Sequence, residues 1–346
     1  MSSQPGMTSQ PGMTESGTAD RGERGKRMAT IHEVAARAGV SAATVSRVIN
    51  GTRVSADLAR RVQAAAADLD YTPSRTARTL RKRHSEVIAL IIPDIENPFF
   101  TALARGVVDR AQEAGYSVVL CNSDEDVAKE ARYIDIAVSE HMAGVILASA
   151  SDHSDLGPLI ARDRPVVSVD RGPHGFEIDA VMVDNRGGGR AATSALFDQG
   201  FRRVACITGP ADIETAQQRS EGWRDRARRE GPVDEALLVH ADYRVDGGRR
   251  AMAELLALAD PPDAVFAANN LMGVGAWQEL RAAGTPPPEF GLAVFGDLPL
   301  SPVGPVGITM IPIPARRLGE AAATLLLERI AGDRQPARTV ILRTGP

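Results

Sequence analysis

Ser41, Thr44, Ser46 and Arg47 fall within seven residues of one another. Three hydroxyls and one guanidinium suit a polyanion. Hydroxyls bond phosphate oxygens and set register, whereas Arg47 can hold guanine O6 and N7 together, worth about 1–3 kcal/mol of base discrimination. Ala42 and Ala43, between them, offer methyl groups that touch a thymine methyl or permit close approach. A second group, spread along the chain, has different chemistry. Asp94, Asn97, Phe99 and Phe100 lie in P-D-I-E-N-P-F-F, and Asp170, Asn269 and Asp297 each stand at or just after the end of a short apolar run. Carboxylates, amides and rings facing one cleft suit a polyhydroxylated small molecule.

Catalytic chemistry finds no comparable support. Gly187–Arg190 reads G-G-G-R, without the Lys-Ser/Thr of a P-loop or the G-x-G-x-x-G spacing, and is expected to open a helix. The six His show no metal spacing, and neither Cys121 nor Cys206 has an activating partner in sequence. No catalytic residue, metal or cofactor is expected, and the chain is not expected to be an enzyme.

The first group needs helices to hold it. Thr30 and Glu33 form T-x-x-E, a capping box that starts a helix at Ile31, with Val34, Ala35 and Ala38 on its apolar face. Gly39 stands where a left-handed residue ends that helix and allows a tight turn. Ser41 then caps a second helix that buries Val45, Val48 and Ile49. Ser55 caps a third, with Leu58, Val62, Ala65, Ala66 and Leu69 as its stripe, and Pro73 breaks it. A helix pair could be a fragment of any bundle. In a helix-turn-helix, the start of the second helix enters the major groove, so Ser41, Ala42, Ala43, Thr44, Ser46 and Arg47 would face DNA.

Charge supports this. Net charge is −4, but residues 21–86 hold 14 Lys or Arg against 6 Asp or Glu, and residues 87–346 hold 26 against 36. A basic head on an acidic body directs the head to the polyanion.

From Val87 the pattern changes. Short β-branched runs at Val87–Ile92, Ser117–Cys121, Gly144–Ala148 and Pro165–Asp170 alternate with helical stretches. A second series runs through Arg203–Thr208, Ala264–Ala268 and Gly291–Phe295. Strands alternating with helices predict parallel, doubly wound sheets, and two series predict two lobes. Ligands of such sheets lie beyond the carboxyl ends of the strands, in the cleft. No apolar run approaches the roughly 20 residues that span a bilayer. No signal-peptide stretch is visible, and two isolated cysteines suit a reducing compartment, so a cytoplasmic location is expected. Residues 1–27 repeat S-Q-P-G-M-T at Ser3–Thr8 and Ser9–Thr14 and are expected to be a disordered tail. The start codon is left open among Met1, Met7, Met13 and Met28.

The residues resemble the lactose/galactose repressor (LacI/GalR) family. The A-G-V-S-x-x-T-V-S-R-V-x-N core stands at Ala38–Asn50, V-S at Val54–Ser55, and Y-x-P-x-x-x-A-x-x-L at Tyr71–Leu80. The resemblance runs from Met28 onward. It implies a helix-turn-helix headpiece (28–74), a hinge (75–86) and a periplasmic-binding-protein-like α/β core (87–346). The lobes are expected at about 87–185 plus 312–331, and 186–311 plus 332–346. Ala42 and Ala43 occupy positions that, by resemblance, vary with operator sequence. Leu80 aligns with a hinge leucine that relatives insert into the minor groove, a wedge that unstacks a base step. Ordinary packing is the alternative, and its charged neighbours favour the wedge. Arg75 and Arg78 would meet flanking phosphates. Arg219 aligns with the family arginine that grips an effector hydroxyl or carboxylate, and Tyr243 with an aromatic ring. Two departures stand out: relatives usually carry Asn-Asp where this chain has Asn269-Asn270, and G-[FY]-D-[DN] where it has Gly296-Asp297 before L-P-L.

These readings converge on a transcription regulator, expected to be a repressor. It would bind double-stranded operator DNA as a homodimer, without a membrane, and respond to a small effector, a carbohydrate or related metabolite. A cytosolic solute-binding protein that sequesters its ligand without regulating DNA is the alternative. No leucine-heptad tail follows the core, which favours a dimer over a coiled-coil tetramer. Arg47→Ala should relax discrimination at one guanine per half-site, whereas Lys82→Ala should weaken all sequences alike. Equal losses on operator and random duplexes for both variants would contradict this division.

Overall fold

In the computed structural model, residues 29–49, 52–71, 85–173, 175–298 and 307–344 are described. The capping box forms as expected. The Glu33 carboxylate accepts from the Thr30 amide at 2.6 Å, and the Glu33 amide donates to the Thr30 hydroxyl. Helix α1 (Ile31–Ala38) follows and ends at Gly39, whose φ of 65° is left-handed. The Arg61 guanidinium, from α3 (Ala56–Asp68), donates to the carbonyls of Ala38 and Gly39 and fixes that turn. Between them, α2 (Ala42–Ile49) starts where the Thr44 amide donates to the Ser41 hydroxyl at 3.2 Å. Val34, Ala35, Ala38, Val45, Val62 and Ala65 make the small core of this unit. Asn50 and Gly51 lie outside the described residues.

The second unit begins with β1 (Val87–Ile92), α4 (Pro98–Glu113), β2 (Ser117–Asn122), α5 (Val127–Ser139), β3 (Gly144–Leu147), the single turn α6 (Gly157–Ile160), β4 (Val166–Val169) and β5 (Asp179–Val183). The chain then crosses over. Helix α7 (Asn185–Asp198), β6 (Val204–Thr208), α8 (Glu214–Ala227), β7 (Leu238–His240), α9 (Val245–Leu256), β8 (Ala264–Ala267), α10 (Asn270–Ala282), β9 (Gly291–Phe295) and β10 (Ile308–Ile311) build the second lobe. It crosses back into α11 (Ala315–Ile330), which packs on α4, and ends with β11 (Thr339–Leu342). Every strand pair is parallel. The orders are β11-β5-β4-β3-β1-β2 and β10-β9-β8-β6-β7. The two doubly wound sheets and the helical headpiece match the expected fold class. Central strands such as β3, β4, β6 and β8 are buried throughout, as sheets covered on both faces require.

One boundary needs correction. Residues 332–346 were expected in the second lobe, but β11 pairs with β5, placing Thr339–Leu342 in the first sheet. The reason is electrostatic. The fully buried Asp179 carboxylate accepts from Arg329 Nε at 2.7 Å and from the Arg338 amide at 2.8 Å. These bonds dock the segment leading into β11 beside β5.

Burial pulls the Asp179 pKa upward, but hydrogen bonds from Arg329 and the Arg338 amide outweigh it and hold it below the usual carboxylate range. Because the folded pKa is lowered, the stability it adds is present above the unfolded pKa of about 3.9 and is lost as pH falls through the folded value. Asp179→Asn should cost about 2 kcal/mol at neutral pH, less than for a fully buried pair because both arginines reach solvent. Denaturant titrations should show that difference closing below about pH 4; a difference independent of pH would contradict the assignment.

Candidate functional site

A cavity of about 280 Å³ opens between the two lobes at the carboxyl ends of their strands, and all nine expected cleft residues line it. Local structure explains each placement. Asn97 caps α4, its Oδ1 accepting from the Phe99 amide at 3.0 Å. Phe99 and Phe100 then sit edge to face at 4.9 Å. The Asp94 carboxylate accepts from the Glu96 amide. Asn269 caps α10, its Oδ1 accepting from the Met272 amide, while its Nδ2 donates to the Tyr243 carbonyl. Asp297 stands exposed at the rim, just after Gly296, so the shortened G-D-L-P-L still brings a carboxylate to the cleft.

Asp170 and Tyr243 hold φ values of 66° and 62°. Non-glycine residues adopt left-handed backbone at a cost, and such strain concentrates at ligand sites. The Tyr243 hydroxyl bonds the Thr215 hydroxyl at 3.1 Å, and its ring packs where a Cβ on Gly209 would otherwise stand.

Arg219 is the most engaged group. Its Nε donates to Asn185 Oδ1 at 2.8 Å and its Nη1 to the Ala268 carbonyl at 2.9 Å. Its guanidinium stacks 4.5 Å over the Phe295 ring. That leaves Nη2, which faces Asp170 Oδ1 at 3.9 Å. Both residues are buried, and Asp170 Oδ1 and Asn185 Nδ2 have no hydrogen bond among the described residues. Burial raises the Asp170 pKa against the pull of Arg219 and Arg171. Glycine makes this geometry possible. A Cβ on Gly189 of α7 would stand 2.3 Å from the Arg219 carbonyl, so α7 and α8 approach only because that side chain is absent. The run Gly187–Arg190 lies within α7, as expected, and serves packing.

Sequence reading passed over Arg171 and Glu125. The buried Arg171 forks onto Glu125 at 2.7 and 2.9 Å and also donates to the Ser149 carbonyl. Burial lowers the Arg171 pKa, but Glu125 outweighs it and the net shift is upward. Arg171 had one signal: a charge directly after the strand-ending Asp170. Asn270, the departure from Asn-Asp, also lines the cleft.

In the helical unit, Ser41 just before α2 and Ala43 and Arg47 on it are exposed, while Ala42, Thr44 and Ser46 are partly covered. The Ser41 and Thr44 hydroxyls bond each other at 3.0 Å. Arg75, Arg78 and Leu80, with Lys82, lie outside the described residues. Among the described residues no group of metal ligands forms, and no helix is long and apolar enough to cross a membrane.

A family model described as "Bacterial regulatory proteins, lacI family" matches residues 30–74, and one described as "Periplasmic binding proteins and sugar binding domain of LacI family" matches residues 85–344. The chain is 37% identical over 309 residues to the ribose operon repressor of Escherichia coli (strain K12), covering 88% of this chain and 93% of that one. It is also similar to a structure of the transcriptional regulator CelR in complex with cellobiose, at 32% identity and a TM-score of 0.70, covering 92% of this chain and 98% of the other. The lac repressor dimer bound to operator shares the fold with a TM-score of 0.80 at 23% identity, covering 91% and 96%.

The buried Arg219–Asp170 pair makes a testable energetic claim. Removing either partner strands the other's charge, which costs about 3 kcal/mol or more. Arg219→Ala and Asp170→Asn should therefore couple by about 1–3 kcal/mol in a double-mutant cycle of denaturant stability. Additive losses would show that the two charges do not sense each other.

Proposed function

Since this chain belongs to the LacI family of bacterial regulatory proteins, we propose that it is a sequence-specific DNA-binding repressor switched by a small neutral sugar held in the cleft. One observation carries the choice of ligand. Asp170 Oδ1, an acceptor without a hydrogen bond among the described residues, stands 3.9 Å from Arg219 Nη2. A sugar hydroxyl donates and accepts at once, so adjacent hydroxyls would satisfy both groups. The charge inventory favours a neutral molecule. Arg171 is spent on Glu125, and Arg219 faces Asp170. Asp242 is paired with Arg250, and Asp94 and Asp297 outnumber the remaining lining cation, Arg244, so an anionic ligand would meet net repulsion. A relative named for the ribose operon and a neighbour solved as a cellobiose complex support a carbohydrate.

In this reading Ser41, Thr44 and Ser46 meet phosphates, Arg47 reads a guanine, and Ala42 and Ala43 lie against the bases. Arg75 and Arg78 flank the duplex, and Leu80 wedges into the minor groove. The protein works as a homodimer in the cytoplasm, where operator DNA is, and turns over no substrate. A sequestering protein without regulation would leave the basic helix-turn-helix without a use.

Footprinting should reveal a pseudo-palindromic site, because dimer symmetry is mirrored in the operator, with affinity falling steeply as salt rises. A single unpaired half-site at all protein concentrations would contradict the dimer. Calorimetry on the full chain should detect ribose or cellobiose, and should show ribose 5-phosphate binding at least about tenfold more weakly than ribose, because Asp94 and Asp297 outweigh Arg244 in the lining. Tighter binding of the phosphate would overturn the neutral-sugar reading.

A further inference from the structure

We propose that Asn270 is a positioning residue that reaches across the cleft and fixes the Asn97 amide as a hydrogen-bond donor toward the ligand. This rests on the reading of the cleft as the effector site. Asn97 caps α4 in the first lobe, and Asn270 opens α10 in the second. Asn270 Nδ2 donates to Asn97 Oδ1 at 3.1 Å, and both residues are buried. The same Oδ1 accepts from the Phe99 amide at 3.0 Å. An amide oxygen has two lone pairs, so these two donors saturate it. Asn270 Oδ1 accepts from the Leu271 amide at 2.9 Å, which fixes the orientation of the second amide as well. Turning either amide over would set donor against donor or acceptor against acceptor.

Two consequences follow from this geometry. Asn97 has only its Nδ2 hydrogens left, and Asn97 lines the cleft, so it presents a donor and recognises an acceptor, such as a hydroxyl or ring oxygen. The bond that fixes this donor comes from the opposite lobe, so it forms only when the lobes are closed. Asn270 thereby links closure to the correct presentation of a ligand contact. The bond also favours the closed form before any ligand arrives, and a ligand that prefers that form has less free energy to supply.

Two isosteric variants separate positioning from bulk structure. In Asn97→Asp the carboxylate still accepts from Phe99 and Asn270, and Asp remains a good helix cap, so the cross-lobe bond survives while the cleft donor is lost. In Asn270→Asp the cross-lobe donor is lost, and a carboxylate at a helix start is well tolerated. The readout is the distance between spin labels on cysteines introduced at the exposed Arg132 and Glu254, one per lobe, in the full chain without sugar. Cys121 and Cys206 are buried, so labelling is selective. Wild type and Asn97→Asp should share one distribution. Asn270→Asp should shift toward longer distances, its closed-to-open ratio falling about five- to tenfold, as expected for one hydrogen bond. Ribose and cellobiose titrations should then show affinity reduced in both variants. An Asn270→Asp distribution identical to wild type, or an equal opening in Asn97→Asp, would overturn the proposal. Failure of both sugars to bind the wild type would instead count against the ligand reading, with the distances still deciding the role of Asn270.

Discussion

The cleft depends on one constraint: a guanidinium and a carboxylate buried together without enough partners. Arg219 spends its Nε, Nη1 and ring face on Asn185, Ala268 and Phe295, and turns its remaining nitrogen toward Asp170. At 3.9 Å the two charges attract without a good hydrogen bond. Burying such a pair does little for stability, because desolvation offsets the attraction. Its value lies in what it leaves open. A hydroxyl placed beside both groups would complete their hydrogen bonding, and the left-handed backbone of Asp170 holds the carboxylate in place for it.

The rest of the core brings these groups together and allows them to separate. Asp170 directly follows β4 of the first lobe, and Arg219 stands on a helix of the second. Cleft contacts therefore come from both sides, and among the described residues the chain passes between the sheets near residue 184 and at residues 312–314. Few covalent links between two rigid lobes suit hinge motion. A ligand that bridges Asp170 and Arg219 favours the closed arrangement by its differential affinity for the two forms.

Much of this was legible in the chain. Runs such as V-I-A-L-I-I can only be buried strands when helices flank them, and every expected strand formed within about one residue of its bounds. The missed elements had physical causes. No helix separates β4 from β5, so Asp179–Val183 broke the alternation that marked the others. Strand β7 has three residues, and β10 and β11 are half-exposed sheet edges. The lobe of the C-terminal strand depended on Asp179 meeting Arg329 and Arg338, partners about 150 residues away. Most of the cleft was legible because strand ends of doubly wound sheets converge, whereas Arg219 and Tyr243, on and before helices, came from the family resemblance. What escaped was the pairing behind it: Glu125 with Arg171, Asn185 with Arg219, and Asn97 with Asn270 across 173 residues.

A sugar-switched repressor requires the cleft and the helix-turn-helix to share one equilibrium. Titrating ribose into the full chain with and without saturating operator tests this most directly. Linkage requires operator to change sugar affinity by the same factor by which sugar changes operator affinity, commonly about 5- to 150-fold. Two different affinities related by that shared factor are the predicted result. Identical sugar affinities with and without operator would mean that the cleft does not govern the DNA-binding head.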